Sequence, residues 1–203
     1  MTTSTFRTRP RFLCDVDDVI CNYKQGFIAA VNASGVRQLK PDHVFTDWDL
    51  SKSLGLTDTE DDKVYALINL PGFAQNLSPL PGAIEGVKKI MEIADVLFVT
   101  SPLKTSQTWG YDRMHWLQKY FGEEQGKKVV STSEKYAVEG DFLLDDKPGH
   151  ITEWQAQHPR GHAILWITPQ NMHMAPKNMV GLASWGMVFG AVDGLAQLMK
   201  AAK

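Results

Sequence analysis

Short apolar runs alternate along the chain with stretches in which apolar residues recur at helical spacing. Five runs predict buried strands, and they cover residues 11–16, 95–101, 128–132, 142–146 and 162–168. Most of them are nearly continuous in apolar character, which is typical of strands covered on both faces in a parallel sheet. Strands that alternate with helices predict an α/β protein with a doubly wound parallel sheet.

Helical periodicity separates the strands. Residues 81–95 place Ile84, Val87 and Ile90 on one face, after a Pro-Gly start. The spacing predicts further helices at residues 111–122, 151–158 and 184–200. Together with the strands, these helices supply the crossovers that a parallel sheet requires.

Residues 22–79 interrupt the alternation, because they show helical patterns and no convincing strand. Thr57 and Glu60 form a T-x-x-E capping box that predicts the start of one helix. The segment is too long for a single crossover helix, so we interpret it as a small helical cap inserted after the first strand, and we call it the helical insertion. The core domain would then comprise residues 11–21 and 80–203, with residues 1–10 as a flexible N-terminal tail.

Composition limits the classes of function. The chain has 203 residues, 43% of them hydrophobic, which fits one domain with a real core or one domain carrying an insertion. Lys and Arg number 21 against 23 Asp and Glu, a balance that indicates neither a nucleic-acid nor a membrane-surface partner. The two cysteines, Cys14 and Cys21, fit no zinc-ligand spacing and no disulfide framework. Without an apolar leader or a membrane-length apolar run, we expect a cytoplasmic protein.

Polar residues follow the predicted strands at their carboxyl ends, where ligand sites of open α/β sheets lie. In chain order they are Asp15 and Asp17, then Thr100 and Ser101, then Lys135, then Asp145 and Asp146. Clustered acids repel one another, and a divalent cation such as Mg²⁺ would remove that repulsion. Because Thr, Ser and Lys are phosphate-binding residue types, the set indicates phosphoryl transfer.

Four motifs carry a resemblance to a known superfamily. "DVDDV" resembles the D-x-D-x-[TV] signature of the haloacid dehalogenase (HAD) superfamily, and "VLFVTS", Lys135 and "LLDD" resemble its other three motifs. The segments "PGFAQNLSPLPGAIEGVKKI" and "TSPLKTSQTWGYDRMHWLQKYFG" are similar to those of the 5'(3')-deoxyribonucleotidases. The resemblance covers roughly residues 11–198 and implies a Rossmann-like core with a cap.

The resemblance implies the chemistry of the acids. Asp15 would be the nucleophile that forms a phosphoaspartyl intermediate, and Asp17 would be the general acid and base. Mg²⁺ would be the cofactor. Its implied ligands are the side chains of Asp15 and Asp146, the backbone carbonyl of Asp17, and Asp145 as a ligand or as a partner of the ligands.

The resemblance also implies the substrate contacts. Thr100, Ser101 and Lys135 would hold the phosphate, Arg113 would be a basic substrate contact, and Phe73 would face the base. Each has a plainer alternative: Thr100 and Ser101 as a helix cap, Lys135 as a surface lysine, Phe73 as a packed aromatic, and Arg113 as a cover for apolar surface. Trp48 is a candidate pocket wall or a residue of the insertion's core. The six histidines show no ligand spacing, so we interpret them as structural.

The resemblance implies a 5'-nucleotidase that hydrolyses deoxynucleoside monophosphates and forms a homodimer. The same chemistry would serve a phosphosugar or another small phosphomonoester. A dehalogenase is disfavoured by Asp17 and Asp146, and a silent nucleotide-binding module is disfavoured by the presence of both Asp15 and Asp17. Asp18 stands where the family commonly has glycine, and it is either a solvent-facing substitution or a sign of a variant substrate.

Overall fold

The computed structural model describes residues 9–174 and 180–201, so most of the predicted N-terminal tail lies outside the described residues. The strands are β1 (Arg11–Cys14), β2 (Asp95–Thr100), β3 (Val129–Ser131), β4 (Phe142–Asp145), β5 (His162–Trp166) and β6 (Val180–Leu182). The helices are α1 (Tyr23–Ser34), α2 (Leu50–Leu54), α3 (Asp58–Ile68), α4 (Ala83–Ile93), α5 (Trp109–Phe121), α6 (Glu123–Gly126), α7 (Pro148–Gln157) and α8 (Trp185–Ala201), and two short 3₁₀ turns cover Ala74–Asn76 and Lys135–Ala137.

The strands form one parallel sheet in the order β3-β2-β1-β4-β5-β6. Leu13 of β1 lies opposite Leu97 of β2 and Leu143 of β4. The predicted α/β class and all five predicted strands are therefore confirmed. The sequence did not predict β6, because its three residues include a glycine and only one buried side chain.

Alternate residues of β1 face opposite sides of the sheet, as strand geometry requires. Phe12 and Cys14 belong to the apolar cluster that contains α4 and α8, whereas Leu13 packs with Ile151 and Trp154 of α7. Helices therefore cover both faces of the sheet, which explains why its strands are continuously apolar. No helix among the described residues is long and apolar enough to cross a membrane.

The helical insertion contains α1, α2 and α3, which share an apolar cluster that includes Phe27, Val31 and Val64. The capping box is present: Thr57 and Glu60 each accept a hydrogen bond from the other's backbone N–H. The chain enters and leaves the insertion side by side, because Cys21 and Pro79 form an antiparallel bridge. Whether the insertion is a separate domain stays a prediction.

Two glycines provide a test of the packing between α4 and α8. A Cβ added at Gly86 would lie 2.4 Å from the Trp185 ring and 2.6 Å from its Cβ, so Gly86→Ala forces the two helices apart. We expect a loss of about 1–3 kcal/mol in the free energy of unfolding. A Cβ added at Gly190, in the middle of α8, would have no atom within 4 Å. Gly190→Ala should therefore raise the free energy of unfolding by about 0.5–1 kcal/mol. Urea denaturation of both variants measures the difference, and equal stabilities would contradict this packing.

Candidate active site

The candidate site lies at the carboxyl ends of β1 and β4, which are neighbours in the sheet. The Asp15 backbone N–H donates to the Leu144 carbonyl oxygen at 2.9 Å, so the acids that follow the two strands lie side by side. Six of the predicted residues line one crevice there: Asp15, Asp17, Trp48, Ser101, Lys135 and Asp146.

Lys135 joins the two strand ends. Its Nζ lies 2.6 Å from Asp15 Oδ1 and 2.7 Å from Asp145 Oδ2, and its side chain is only 2% exposed. Burial by itself would lower the pKa of Lys135, but Asp15 and Asp145 raise it above its usual value, so the ammonium stays charged. A surface lysine is therefore excluded, and Lys135 is the counter-ion that the two carboxylates share.

Asp145 is fully buried and both of its oxygens accept hydrogen bonds. Oδ1 accepts the Lys147 backbone N–H at 2.8 Å, Oδ2 accepts the Lys135 ammonium, and His150 Nδ1 lies 3.1 Å from Oδ2. Burial would raise the pKa of Asp145, but Lys135 and His150 lower it to about 2. Asp145 is thus an ionised carboxylate whose two oxygens both have hydrogen-bond partners.

Asp15 keeps one oxygen available. Its Oδ1 accepts from Lys135 and from the Val16 backbone N–H at 2.7 Å, whereas no group among the described residues donates to its Oδ2. Burial, with the negative charge of Asp145 second, raises the pKa of Asp15, and Lys135 opposes that rise. The carboxylate is fixed in orientation through Oδ1, and Asp15 lines the crevice.

Three buried carboxylates could hold a metal ion. One oxygen from each of Asp15, Asp145 and Asp146 lies within 4.8 Å of the others. Burial, together with the charges of Asp145 and Asp18, raises the pKa of Asp146 to about 8. An all-oxygen set with this excess of negative charge fits a hard divalent cation.

Asp17 is oriented by two buried side chains. Thr100 Oγ1 donates to its Oδ2 at 3.2 Å, and Arg113 forms an ion pair with its Oδ1. The Arg113 side chain is 0% exposed, donates to the Ala74 carbonyl at 3.0 Å, and lies over the Trp109 ring at 4.6 Å. Thr100 and Arg113 therefore contact the Asp17 carboxylate, and Arg113 is closed off from solvent.

Asp18 has a positive φ of 57°, a backbone conformation that glycine adopts freely and that aspartate adopts more readily than most residues. This geometry explains why a glycine would suit the position. The side chain is partly exposed and lines the crevice, where its Oδ1 accepts the Lys24 backbone N–H at 3.0 Å and its Oδ2 lies 3.5 Å from the Lys24 ammonium. The role of Asp18 in the choice of substrate stays a prediction.

A second cavity of about 750 Å³ adjoins the crevice and shares Asp17, Trp48 and Ser101 with it. Its walls come from the helical insertion and from the loop after β2. Aromatic residues there are Tyr23, Trp48, Tyr65 and Trp109, and acidic residues are Asp49, Asp61 and Asp62. Trp48 lies at the junction of the two cavities, which places it in a pocket wall.

Phe73 lies elsewhere. It lines a separate apolar groove with Gly26 and Leu77, and it packs against both the sheet core and the insertion core. The structure therefore does not bring Phe73 to the crevice, and its position fits the alternative of a packed aromatic.

Sequence reasoning missed several polar residues of the site, including three that contact the acids or their backbone. His150 contacts Asp145, Lys24 lines the crevice, and the buried Asn171 donates to the Asp146 carbonyl at 2.6 Å. His150 follows Asp145 by five residues in the first turn of α7, which is a local signal. Asn171 had no such signal, and although Lys24 follows Asp18 by six residues, its contact with Asp146 is set by the fold.

Known proteins resemble this chain over most of its length. Residues 9–195 match the family described as 5' nucleotidase, deoxy (pyrimidine), cytosolic type C protein. The mitochondrial 5'(3')-deoxyribonucleotidase of Mus musculus is 30% identical over 173 residues, which are 81% of this chain and 76% of the mouse protein. The cytosolic-type human 5'(3')-deoxyribonucleotidase is 27% identical over 187 residues, which are 86% of this chain and 89% of the human protein.

Solved structures share the fold. A haloacid dehalogenase-like hydrolase of Streptococcus pneumoniae superposes with a TM-score of 0.62 at 9% identity, covering 90% of this chain and 98% of its own. A HAD-hydrolase of Bacillus subtilis, solved with magnesium bound, superposes with a TM-score of 0.59 at 11% identity and covers 92% of this chain and 99% of its own. On the family match, the chain belongs to the cytosolic type C 5'-nucleotidase family and is a phosphoric monoester hydrolase with the HAD-like α/β fold.

Proposed function

We propose that the chain is a Mg²⁺-dependent 5'-nucleotidase that hydrolyses deoxynucleoside monophosphates through a phosphoaspartyl intermediate on Asp15. The observation that carries the proposal is the free Oδ2 of Asp15, next to a carboxylate, Asp17, that is held in place by two other side chains. A nucleophile and a separate proton donor at one strand end are what a two-step phosphate transfer needs.

In the first step, Asp15 Oδ2 attacks the phosphorus and the bond to the leaving oxygen breaks. Asp17 gives its proton to that oxygen, and the nucleoside departs with a free hydroxyl. In the second step, Asp17 takes a proton from water, the water oxygen attacks the phosphorus, and the acyl-phosphate bond breaks. Inorganic phosphate leaves and Asp15 is restored, so atoms and charges balance.

Asp15, Asp146 and the Asp17 backbone carbonyl would hold Mg²⁺, which when bound supplies charge neutralisation for the phosphoryl oxygens. Asp145, whose two oxygens already accept hydrogen bonds, is better suited to hold Lys135 and the neighbouring ligands in place. Lys135 and Ser101, which both line the crevice, are the proposed phosphate contacts.

Thr100 and Arg113 take a different role in this proposal from the one that resemblance implied. Both are buried and both contact Asp17, so we assign them to the orientation of the general acid and base. Arg113 also keeps a positive charge beside that carboxylate, since Asp17 and Cys21 raise its pKa against the opposing effect of burial.

The adjoining cavity supports a nucleoside as the leaving group. Aromatic rings at Tyr23, Trp48 and Tyr65 offer stacking surface for a planar base. The charged residues of the lining are Asp49, Asp61 and Asp62 together with Lys104 and Lys147, so the cavity offers a nucleoside both acceptors and donors. A phosphosugar remains the second candidate, because its hydroxyls would also find acceptors there.

Cytoplasmic location stays a prediction, because the relatives include a cytosolic and a mitochondrial enzyme. Dimerisation stays a prediction as well.

Replacement of the nucleophile is the first test. Asp15→Asn keeps the shape of the side chain and removes its charge, so we expect kcat to fall by about 10³-fold or more while the fold is kept. Phosphate release measured with Mg²⁺ present checks this, and circular dichroism checks the fold. Asp42→Asn, at an exposed position outside the crevice, is the control and should leave kcat unchanged. Turnover at the parental rate in Asp15→Asn would refute the assigned nucleophile.

A substrate panel tests the leaving group. We expect deoxynucleoside monophosphates to be hydrolysed with a kcat/KM at least about tenfold above that of sugar phosphates, because base stacking adds binding free energy. Trp48→Ala should reduce that ratio and leave the sugar phosphates unaffected. A panel in which sugar phosphates react fastest would favour the second candidate. Activity that persists after complete removal of divalent cations would contradict the Mg²⁺ requirement.

The hydrogen bond from Thr100 to Asp17 gives a kinetic prediction. Thr100→Val keeps the side-chain shape but removes the donor, so Asp17 loses one of its two anchors. We expect kcat to fall about tenfold with KM nearly unchanged. Thr100→Ser keeps the hydroxyl and is the matched control, with most of the activity retained. A rise in KM without loss of kcat would assign Thr100 to phosphate binding instead.

A further inference from the structure

Asp18 and Lys24 are joined by a hydrogen bond and an ion pair at the start of the helical insertion. One Asp18 oxygen accepts the Lys24 backbone N–H at 3.0 Å, and the other lies 3.5 Å from the ammonium of the same lysine. The Asp18 backbone is fixed as well, because its N–H donates to the Cys21 carbonyl at 2.7 Å. Because both the backbone N–H and the ammonium of Lys24 contact Asp18, the lysine side chain has fewer accessible rotamers.

The pair points the Lys24 ammonium at the proposed metal site. Lys24 Nζ lies 3.9 Å from Asp146 Oδ2, although the two residues are far apart in the chain. The Lys24 side chain is 22% exposed and lines the crevice, so it is in contact with solvent and ligand space. Lys24 therefore connects α1 of the insertion with the end of β4.

The charges around the crevice explain why a cation lies there. Five carboxylates cluster at the two strand ends: Asp15, Asp17, Asp18, Asp145 and Asp146. Lys135 is shared by two of them and Arg113 is bound to a third. Among the described residues, Lys24 is the cation whose ion pairs include Asp146.

We propose that Lys24 is a resident counter-cation for the metal carboxylate Asp146, and that Asp18 holds it in that position. The ammonium and a divalent cation compete for the same carboxylate, so Lys24 lowers the Mg²⁺ affinity of the site. Lys24 acts on the reaction through Asp146 and is a positioning residue. This inference rests on the proposed Mg²⁺ site, and it deepens it by naming the residue pair that sets metal affinity.

Mg²⁺ binding without substrate is the direct test. Isothermal titration calorimetry of the full chain with MgCl₂ should give a Kd for Lys24→Met that is roughly threefold to tenfold lower than for the parent, because one nearby positive charge is gone. Lys24→Arg keeps the charge and should restore the parental Kd. Lys88→Met, on the exposed face of α4, removes one charge far from the crevice and should leave Kd unchanged.

A double-mutant cycle tests whether Asp18 acts through Lys24. Asp18→Asn removes the charge and keeps a residue that accepts a positive φ. With Lys24 present, Asp18→Asn also releases the ammonium from its position beside Asp146, so the substitution should weaken Mg²⁺ binding less than it does in the Lys24→Met background. If the changes in Mg²⁺ binding free energy caused by the two substitutions are additive, Asp18 does not act through Lys24 and the proposed pair is contradicted.

The outcomes separate this inference from the proposed function. A parent chain that binds no Mg²⁺ would overturn the metal site and the role of Lys24 with it. A parent chain that binds Mg²⁺ as tightly as Lys24→Met, or more tightly, would overturn the role of Lys24 alone. Thermal unfolding without metal shows whether each variant is folded, and Lys24→Gln serves as the second neutral variant if Lys24→Met is not.

Discussion

The rest of the site depends on the ammonium group of Lys135, which lies between Asp15 and Asp145. Two buried carboxylates at adjacent strand ends would otherwise repel each other in a medium that screens charge weakly. With the lysine in place, both carboxylates share one cation, and each is fixed in orientation. The position of Asp15 close to Asp145 and Asp146 follows from that arrangement.

The parallel pairing of β1 and β4 places the two carboxylates next to each other. Because β1 and β4 are parallel neighbours in register, the residues that follow them leave the sheet at the same edge. Apolar side chains cover both faces of these strands, so the strand ends are where polar groups can be accommodated. Packing and chemistry are therefore linked: the buried core fixes the backbone positions from which the acids project.

The helical insertion contacts the acid cluster at two points. Arg113 holds Asp17 and also donates to the Ala74 carbonyl, in the segment by which the chain leaves the insertion. Lys24, in the first turn of α1, reaches Asp146. A segment that walls the adjoining cavity is thus tied to both sides of the acid cluster.

The sequence alone determined the α/β class, five of the six strands, the helical character of residues 22–79 and the candidate acids at the strand ends. These features follow from local periodicity and from motifs whose residues are close together in the chain. The pairing of charges was decided only by the tertiary structure. Thr100 and Arg113 contact Asp17, Phe73 lies outside the crevice, and Asp18 holds Lys24 beside Asp146. The physical reason is that an ion pair depends on distances across the fold, whereas a hydrophobic pattern depends only on neighbours along the chain.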